Sequence, residues 1–285
     1  MSRELQALAV LLLILAVGWL GYGLLFGDDG ARLTVRTVSG DVRRVDGLGS
    51  STQAVPGLAL TAHDRIVAGA SGSAELALGE DSRVRIDEKS SVQVLSADEK
   101  GVRLELEGGR VQATIRPGSG RLGISADGRS VSSEDADFTV VRGEDGTVGV
   151  VAERGGLDVE GMGDRSRLSA GERLVAAPDG GALVAPADEA LLLAVDWPAT
   201  ERTRDEEIEV RGHTEPGATV QVGYEGAWVT VRAGKDGTFT ARTRLREGEN
   251  DVEVRATSVL GNALSASHVV VRDTTAPQLG LEIKY

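Results

Sequence analysis

The feature that most constrains this chain is an uncharged apolar run at residues 7–26. About twenty apolar residues is the length that a helix needs to cross the hydrocarbon core of a bilayer. Inside lipid, a lone segment satisfies its backbone hydrogen bonds only as a helix. The run therefore predicts one transmembrane helix, anchored by large side chains along its length: Leu8, Leu12, Leu15, Trp19, Tyr22 and Phe26. The two aromatic rings nearest its far end suit the headgroup region.

The flanks of this run favour an uncleaved anchor over the alternative, a cleaved signal peptide. A signal peptide has a shorter apolar core and a small-x-small cleavage site, whereas this run continues through residues 24–29 without an Ala-x-Ala. Arg3 precedes the run, and Asp28 and Asp29 follow it, which weakly favours a cytoplasmic N-terminus. We expect a cytoplasmic stub at residues 1–6 and a single-pass protein of the bacterial inner membrane, with its bulk in the periplasm.

Composition limits the function classes. The 285 residues carry a formal net charge of −13, and nucleic-acid binding is not expected because it requires a basic surface. The chain has no cysteine, which excludes disulfides, thiolate metal sites and cysteine nucleophiles. His63, His213 and His268 are far apart and lack metal-ligand spacing. We expect no catalytic residue, no cofactor and no bound metal, and thus no enzyme.

Carboxylates are numerous, but their spacing matches no calcium loop. A calcium ion near residues 179–196 stays an open alternative, with four carboxylates as its ligands: Asp179, Asp188, Glu189 and Asp196. Solvated turns are the commoner meaning of such clusters in an acidic chain.

From residue 32 onward, apolar and polar residues alternate over short segments, as half-buried strands require. Turn signals recur about every eight to twelve residues, a spacing typical of a sandwich, barrel or solenoid. They lie at residues 39–41, 78–81, 107–109, 127–128, 145–146 and 154–156. The predicted fold class is therefore all-β after one N-terminal transmembrane helix.

The composition changes near residues 178–186. An apolar run at 190–195 follows, for which a short helix over 188–195 is possible, although a buried first strand fits its neighbours better. Beyond residue 201, alternation predicts six or seven strands, the content of a small sandwich. Residues 274–285 would be a tail or one extra strand.

Several segments in order carry a resemblance to the FecR domain, a bacterial periplasmic module. They include VSGDV at 38–42, DRIVAG at 64–69, LELEGGRVQA at 104–113, DFTVV at 137–141 and LSAGERL at 168–174. The resemblance implies a β-rich domain, solenoid or sandwich, over residues 32–178. Signalling members of that family carry a cytoplasmic anti-sigma region before the membrane helix, and residues 1–6 are too few to bury a core. The sigma-regulator role is therefore not carried over.

Residues 186–273 resemble a bacterial Ig-like β-sandwich, through segments such as IEVRG at 208–212, EPGATV at 215–220, DGTF at 236–239 and EGEN at 247–250. In the two modules, eight positions match the families' turn motifs: Gly40, Gly69, Gly109, Gly171, Gly217, Gly237, Asn250 and Asn262. Trp197 and Trp228 are interpreted as core or edge packing rather than as a sugar-stacking platform.

These features predict a membrane-tethered, non-catalytic protein that binds, scaffolds or senses in the cell envelope. Its expected partner is an envelope protein or a cell-wall glycan, since β-rich modules bind through loops and strand edges. Two alternatives stay open: an adhesin that binds cell wall or polysaccharide, and an accessory module of a carbohydrate-active system.

Overall fold

The computed structural model describes residues 33–275, except residues 99, 163–165, 179, 190, 199–201 and 225. The predicted stub, the predicted membrane helix with its six anchor residues, and the tail beyond residue 275 lie outside the described residues. Within the described part every regular element is a strand, which confirms the all-β prediction for that part. None of it forms a helix long and apolar enough to span a membrane.

Sixteen strands form one hydrogen-bonded network, here called the N-terminal unit. They are β1 (Leu33–Ser39), β2 (Val42–Val45), β3 (Ser51–Gln53), β4 (Arg65–Ala68), β5 (Ser73–Leu78), β6 (Ser82–Ile86), β7 (Ser91–Asp98), β8 (Gly101–Ile115), β9 (Arg121–Ala126), β10 (Arg129–Ser133), β11 (Ala136–Arg142), β12 (Val148–Gly155), β13 (Leu157–Glu160), β14 (Arg167–Leu168), β15 (Glu172–Ala176) and β16 (Ala182–Pro186).

The remaining strands form the C-terminal unit. They are β17 (Leu193–Asp196), β18 (Arg202–Thr203), β19 (Glu207–Thr214), β20 (Thr219–Tyr224), β21 (Ala227–Arg232), β22 (Thr238–Arg244), β23 (Gly248–Thr257) and β24 (Ala263–Arg272).

The N-terminal unit has two layers that share the long strand β8. Sheet A has the order β1-β5-β6-β8-β11-β12-β15-β16, and sheet B the order β3-β2-β4-β7-β8-β9-β10-β13-β14. Inward side chains from both layers, such as Val84 and Val150 of sheet A and Leu104 and Val131 of sheet B, form one buried core. Because β16 pairs with β15 in sheet A, this unit extends beyond residue 178 to Pro186.

The centre of β8 corrects one sequence prediction. A turn was expected at residues 107–109, but β8 runs through them without reversing. Its first half pairs with β7 in sheet B, and from Gly109 onward it pairs with β11 in sheet A. Gly109 has φ +90°, and a Cβ there would lie 2.6 Å from the Cα of Ser90. The glycines therefore bend the strand from one layer into the other instead of ending it.

After β8, consecutive hairpins alternate between the layers. The β9–β10 hairpin lies in sheet B, β11–β12 in sheet A, β13–β14 in sheet B and β15–β16 in sheet A. The sequence predicts either a solenoid or a sandwich for this unit. The structure has two layers, and consecutive hairpins of the chain add strands to one layer and then to the other.

The C-terminal unit pairs a three-stranded sheet, β17-β19-β22, with a five-stranded sheet, β18-β24-β23-β20-β21. Side chains of both sheets, including Val210, Phe239 and Val254, share one core. Leu191 is buried there and Leu192 is 53% exposed. The strand that follows is half exposed at a sheet edge, so residues 191–195, the described part of the run, do not form the buried first strand that the sequence predicts.

Candidate functional site

The outer face of sheet A is covered where the two units meet. Val148 and Val150 of β12 point into the core, so Gly149 between them faces outward. In register with Gly149 are Val141 on β11 and Val175 on β15. Val141 is 8% and Val175 is 1% exposed, although neither belongs to the core between the layers. Something other than sheet B therefore covers this row of residues.

The turn between β23 and β24 is one part of that cover. A Cβ built on Gly149 would lie 2.7 Å from Cδ2 of Leu260 and 2.9 Å from Cγ1 of Val259. From β8, Arg110 donates a hydrogen bond of 2.7 Å from Nη2 to the Leu260 carbonyl. Gly149 is thus the side-chain-free position that lets this apolar turn contact the sheet.

The turn between β19 and β20 is the second part. Gly217 has φ +70°, and a Cβ there would lie 2.3 Å from Oγ1 of Thr147, which is fully buried. Next to it, Arg232 of β21 pairs with Asp145 at 2.9 Å. Burial raises the pKa of Asp145, but hydrogen bonds from Thr147 and Arg232 outweigh that effect and hold the pKa below its usual value.

A buried ion pair completes this contact, which we call the junction. Arg173 of β15 places Nη1 2.8 Å from Oε1 of Glu215, and the two side chains are 3% and 1% exposed. Burial raises the pKa of Glu215, and the charge of Arg173 opposes that shift. Arg173 Nε and Nη1 and both carboxylate oxygens of Glu215 have no partner with hydrogen-bond geometry among the described residues, so the contact is a close approach of opposite charges. The cost of removing two such charges from water can exceed their attraction, so the pair by itself is weak evidence for stability, whereas removal of only one partner is costly.

A second candidate surface is a groove of about 680 Å³ on the outer face of the five-stranded sheet. It is lined by Tyr224, Gly226, Trp228, Arg246, Glu249, Asn250, Asp251, Glu253 and Arg255. Trp228 faces Gly223 in the register of β20 and β21, and Gly223 faces Glu253 across β23. The Trp228 ring and the Glu253 carboxylate therefore lie on the same face of the sheet and line the groove together.

The rings in this groove are each contacted by an arginine. The Cζ of Arg246 lies 4.4 Å from the Tyr224 ring centre, and that of Arg255 lies 4.5 Å from the Trp228 ring centre. Arg255 is held in place by Glu253, which accepts two hydrogen bonds of 2.7 Å. These are the distances of cation–π contacts. Trp228 thus packs at a sheet edge with a guanidinium on its ring.

The predicted turn positions are distributed over the fold and do not converge on one site. Gly40, Gly171, Gly217 and Gly237 have positive φ values in turns between strands. Gly69 follows β4, and Asn262 lies in the turn before β24. Asn250 was expected in a turn and instead lies in β23, where its amide bonds the carbonyls of Arg246, Gly248 and Val270.

The candidate metal ligands and the histidines named from the sequence also do not come together in one site. No group of three or more potential metal ligands occurs among the described residues, and Asp179 of the open calcium alternative lies outside them. Trp197 packs on the C-terminal core and stacks on His268, with ring centres 5.2 Å apart.

Sequence reasoning missed the junction. Arg173 alternates with core residues of β15, so the pattern predicts a solvated side chain. Glu215 was seen only as part of a turn motif. One signal was available in the sequence. The outward positions Val141, Gly149 and Val175 are small or apolar, and an exposed sheet face seldom has a cluster of such residues.

Comparison with known proteins supports one part of the sequence interpretation. Residues 64–157 match the FecR family, described as FecR protein. This stretch, from the residue before β4 to the start of β13, is called the FecR region below. It supports a sensing or signalling role in the envelope. No curated protein matches the sequence.

Among solved structures, the chain is similar to a candidate anti-sigma factor from Parabacteroides distasonis, seen in two crystal structures. The identity is 16%, the match covers 43% of this chain and 59% of that one, and the TM-score is 0.38. A tetra-tandem repeat from the extending region of a large adhesion protein is also similar, with 16% identity, 85% and 67% coverage and a TM-score of 0.25. The chain thus spans less than two thirds of the length of the anti-sigma factor that it matches.

Proposed function

We propose that this chain is a membrane-tethered, non-catalytic protein of the bacterial envelope that binds and scaffolds a protein partner in a sensing or assembly complex. The proposal combines the FecR region with the apolar run at residues 7–26. In it, one helix tethers the chain to the inner membrane and both units face the periplasm. The C-terminal unit is assigned as Ig-like on the strength of its sequence motifs and its two sheets around one core.

The observation that carries this proposal is the junction. Two units joined by a flexible linker would present their surfaces independently, whereas these share buried residues such as Arg173, Glu215 and Thr147. Apolar contact between domains of one chain opposes their relative motion, and here Val259 and Leu260 pack on Gly149 beside the buried polar residues. A tethered FecR region that carries a second unit in a fixed position is suited to hold a partner rather than to turn over a substrate.

The position of the junction sets how far the C-terminal unit stands from the tether. β1, which follows the apolar run, lies at one edge of sheet A, and the junction covers β8 to β15. These strands are three to six positions from β1, or about 15–30 Å at the usual strand spacing. In this proposal the C-terminal unit, which contains the groove, lies away from β1, the strand nearest the membrane.

Two experiments test the proposal. A reporter that is active only in the periplasm, fused after Tyr285, should be active, and an inactive fusion would contradict the orientation. Cross-linking in intact cells followed by purification should recover a defined membrane partner with the wild-type chain. Recovery of none, or saturable binding to cell-wall glycan in its place, would favour the adhesin alternative.

A further inference from the structure

We propose that the groove between Tyr224 and Trp228 binds a basic segment of a partner protein, one that presents Lys or Arg side chains. This inference rests on the proposed function, since it identifies the chemistry of the partner that the scaffold would hold. Four observations lead to it: the ring faces, the carboxylates, the apolar margin and the charge of the chain.

The ring faces are arranged for cations. The Cζ of the exposed Arg246 already lies 4.4 Å from the Tyr224 ring centre, and that of Arg255 lies 4.5 Å from the Trp228 ring centre. A cation at this distance is attracted by the ring quadrupole. An incoming guanidinium or ammonium group can replace Arg246 on Tyr224 and keep the same type of contact. A neutral sugar must displace the guanidinium and offers no charge in exchange, so the groove favours a cationic ligand over a glycan.

The carboxylates provide the opposing charge. Glu249, Asp251 and Glu253 alternate along β23, so all three stand on the outer face of the sheet. Glu253 is occupied by Arg255. Glu249 and Asp251 are exposed and form no ion pair within the described part of the chain. Two carboxylates spaced two residues apart on a strand match basic side chains with the same spacing on an extended segment.

The groove has an apolar margin that suits the rest of such a segment. Val269 of β24 lies opposite Asp251, on the same face of the sheet, and is 49% exposed. A segment in which basic and apolar residues alternate could therefore contact the charges, the rings and Val269 together. The net charge of −13 would also speed its approach at low salt.

The test measures binding of a labelled nine-residue peptide of alternating Arg and Val to the full chain in detergent, by fluorescence anisotropy. The double variant Glu249→Gln, Asp251→Asn should raise Kd about 10-fold, the loss expected for two charge contacts and equal to about 1.4 kcal/mol. The matched control is Glu80→Gln, Asp81→Asn, which removes the same charges from the exposed turn between β5 and β6. An equal loss in both double variants would show non-specific attraction and overturn the proposal.

A second variant separates a basic ligand from a glycan. Arg246→Gln frees the Tyr224 ring and should lower Kd for the peptide about threefold, a gain within the range of one cation–π contact. Arg83→Gln, which removes one exposed cation from β6, is the control for net charge and should have less effect. Saturable binding to purified cell-wall glycan that weakens in Arg246→Gln, with no response of the peptide, would overturn the proposal. Partner capture in cells is a separate measurement, so the proposed function can stand when this site assignment fails.

Discussion

Arg173 and Glu215 lie in different units of the molecule, and yet they form an ion pair of 2.8 Å that is almost entirely hidden from solvent. Removing one charge of a buried pair leaves the other without compensation. Glu215→Ala should therefore destabilise the protein by about 3–5 kcal/mol, measured by chemical unfolding. The double variant Arg173→Met, Glu215→Leu removes both charges and should regain most of that loss. Glu207→Ala, which breaks the exposed pair of Glu207 with Arg244, is the control and should have little effect.

The pH dependence of stability at the junction should have a defined sign. Burial raises the pKa of Glu215 above its ordinary value of 4.5, so the folded protein holds this proton more tightly than the unfolded chain does. That contribution is complete below pH 4.5 and is lost as the pH rises through the raised pKa. The stability of the wild type relative to Glu215→Gln should therefore fall as the pH rises above 4.5.

Asp145, in the same junction, should behave in the opposite way. Its pKa lies below the ordinary 3.8, so its contribution is present above pH 3.8 and is lost as the pH falls through the lowered pKa. Unfolding of Asp145→Asn and the wild type over pH 2–7 checks this. A difference between the two proteins that grows on acidification would contradict the assignment.

Gly217 should tolerate no side chain, because it approaches Thr147 across the junction. Gly217→Ala combines a positive φ with an overlap at 2.3 Å, whereas Gly171→Ala has a similar φ of +79° and no neighbour within 4 Å. The left-handed conformation alone costs about 1–2 kcal/mol. Gly217→Ala should therefore lose more stability than Gly171→Ala, by about 1–3 kcal/mol. Equal losses would mean that the turn does not contact Thr147.

The bend in β8 provides an adjacent matched pair. Gly109→Ala places a Cβ 2.6 Å from the backbone of Ser90 at a φ of +90°, whereas Gly108→Ala meets nothing within 4 Å. Because β8 links both sheets, Gly109→Ala should lower the melting temperature sharply or prevent folding, and Gly108→Ala should stay close to the wild type. A similar tolerance at both positions would contradict the change of sheet at Gly109.

Much of the fold could be predicted from the sequence, because each strand shows its own alternation. The hairpin turns at 127–128 and 145–146 lie where the glycines indicate. The pattern at Gly108 and Gly109 predicts a reversal where the structure has a bend, because a glycine pair has the same local signal in a turn and in a strand that changes sheets. Only long-range pairing with β7 and β11 distinguishes the two.

The junction could not be predicted, because alternation assigns outward residues to solvent and contains no information on a second layer outside the sheet. Arg173 therefore looked like a surface residue. The groove was partly visible through Trp228, but its pairing with Arg255 depends on the register between β20 and β23, which local patterns do not specify.

The central claim is that the C-terminal unit is fixed on the outer face of sheet A, and an engineered disulfide tests it most directly. The chain has no cysteine of its own, so Gly149→Cys with Leu260→Cys gives one possible intramolecular bond, and Val259→Ala in both pairs removes the Cγ1 that the new Cβ would otherwise meet at 2.9 Å. The Cβ built on Gly149 lies 3.0 Å from Cγ of Leu260. The Cβ of Leu260 is one bond from that Cγ. The Cβ atoms of residues 149 and 260 therefore lie within about 4.5 Å of each other, as a disulfide requires.

In native membranes under mild oxidation, this pair should form the disulfide almost completely. The control pair, Gly149→Cys with Leu48→Cys at the tip of the β2–β3 hairpin, should keep free thiols. Thiol labelling after denaturation measures both. Free thiols at residues 149 and 260 in the folded protein would contradict the account.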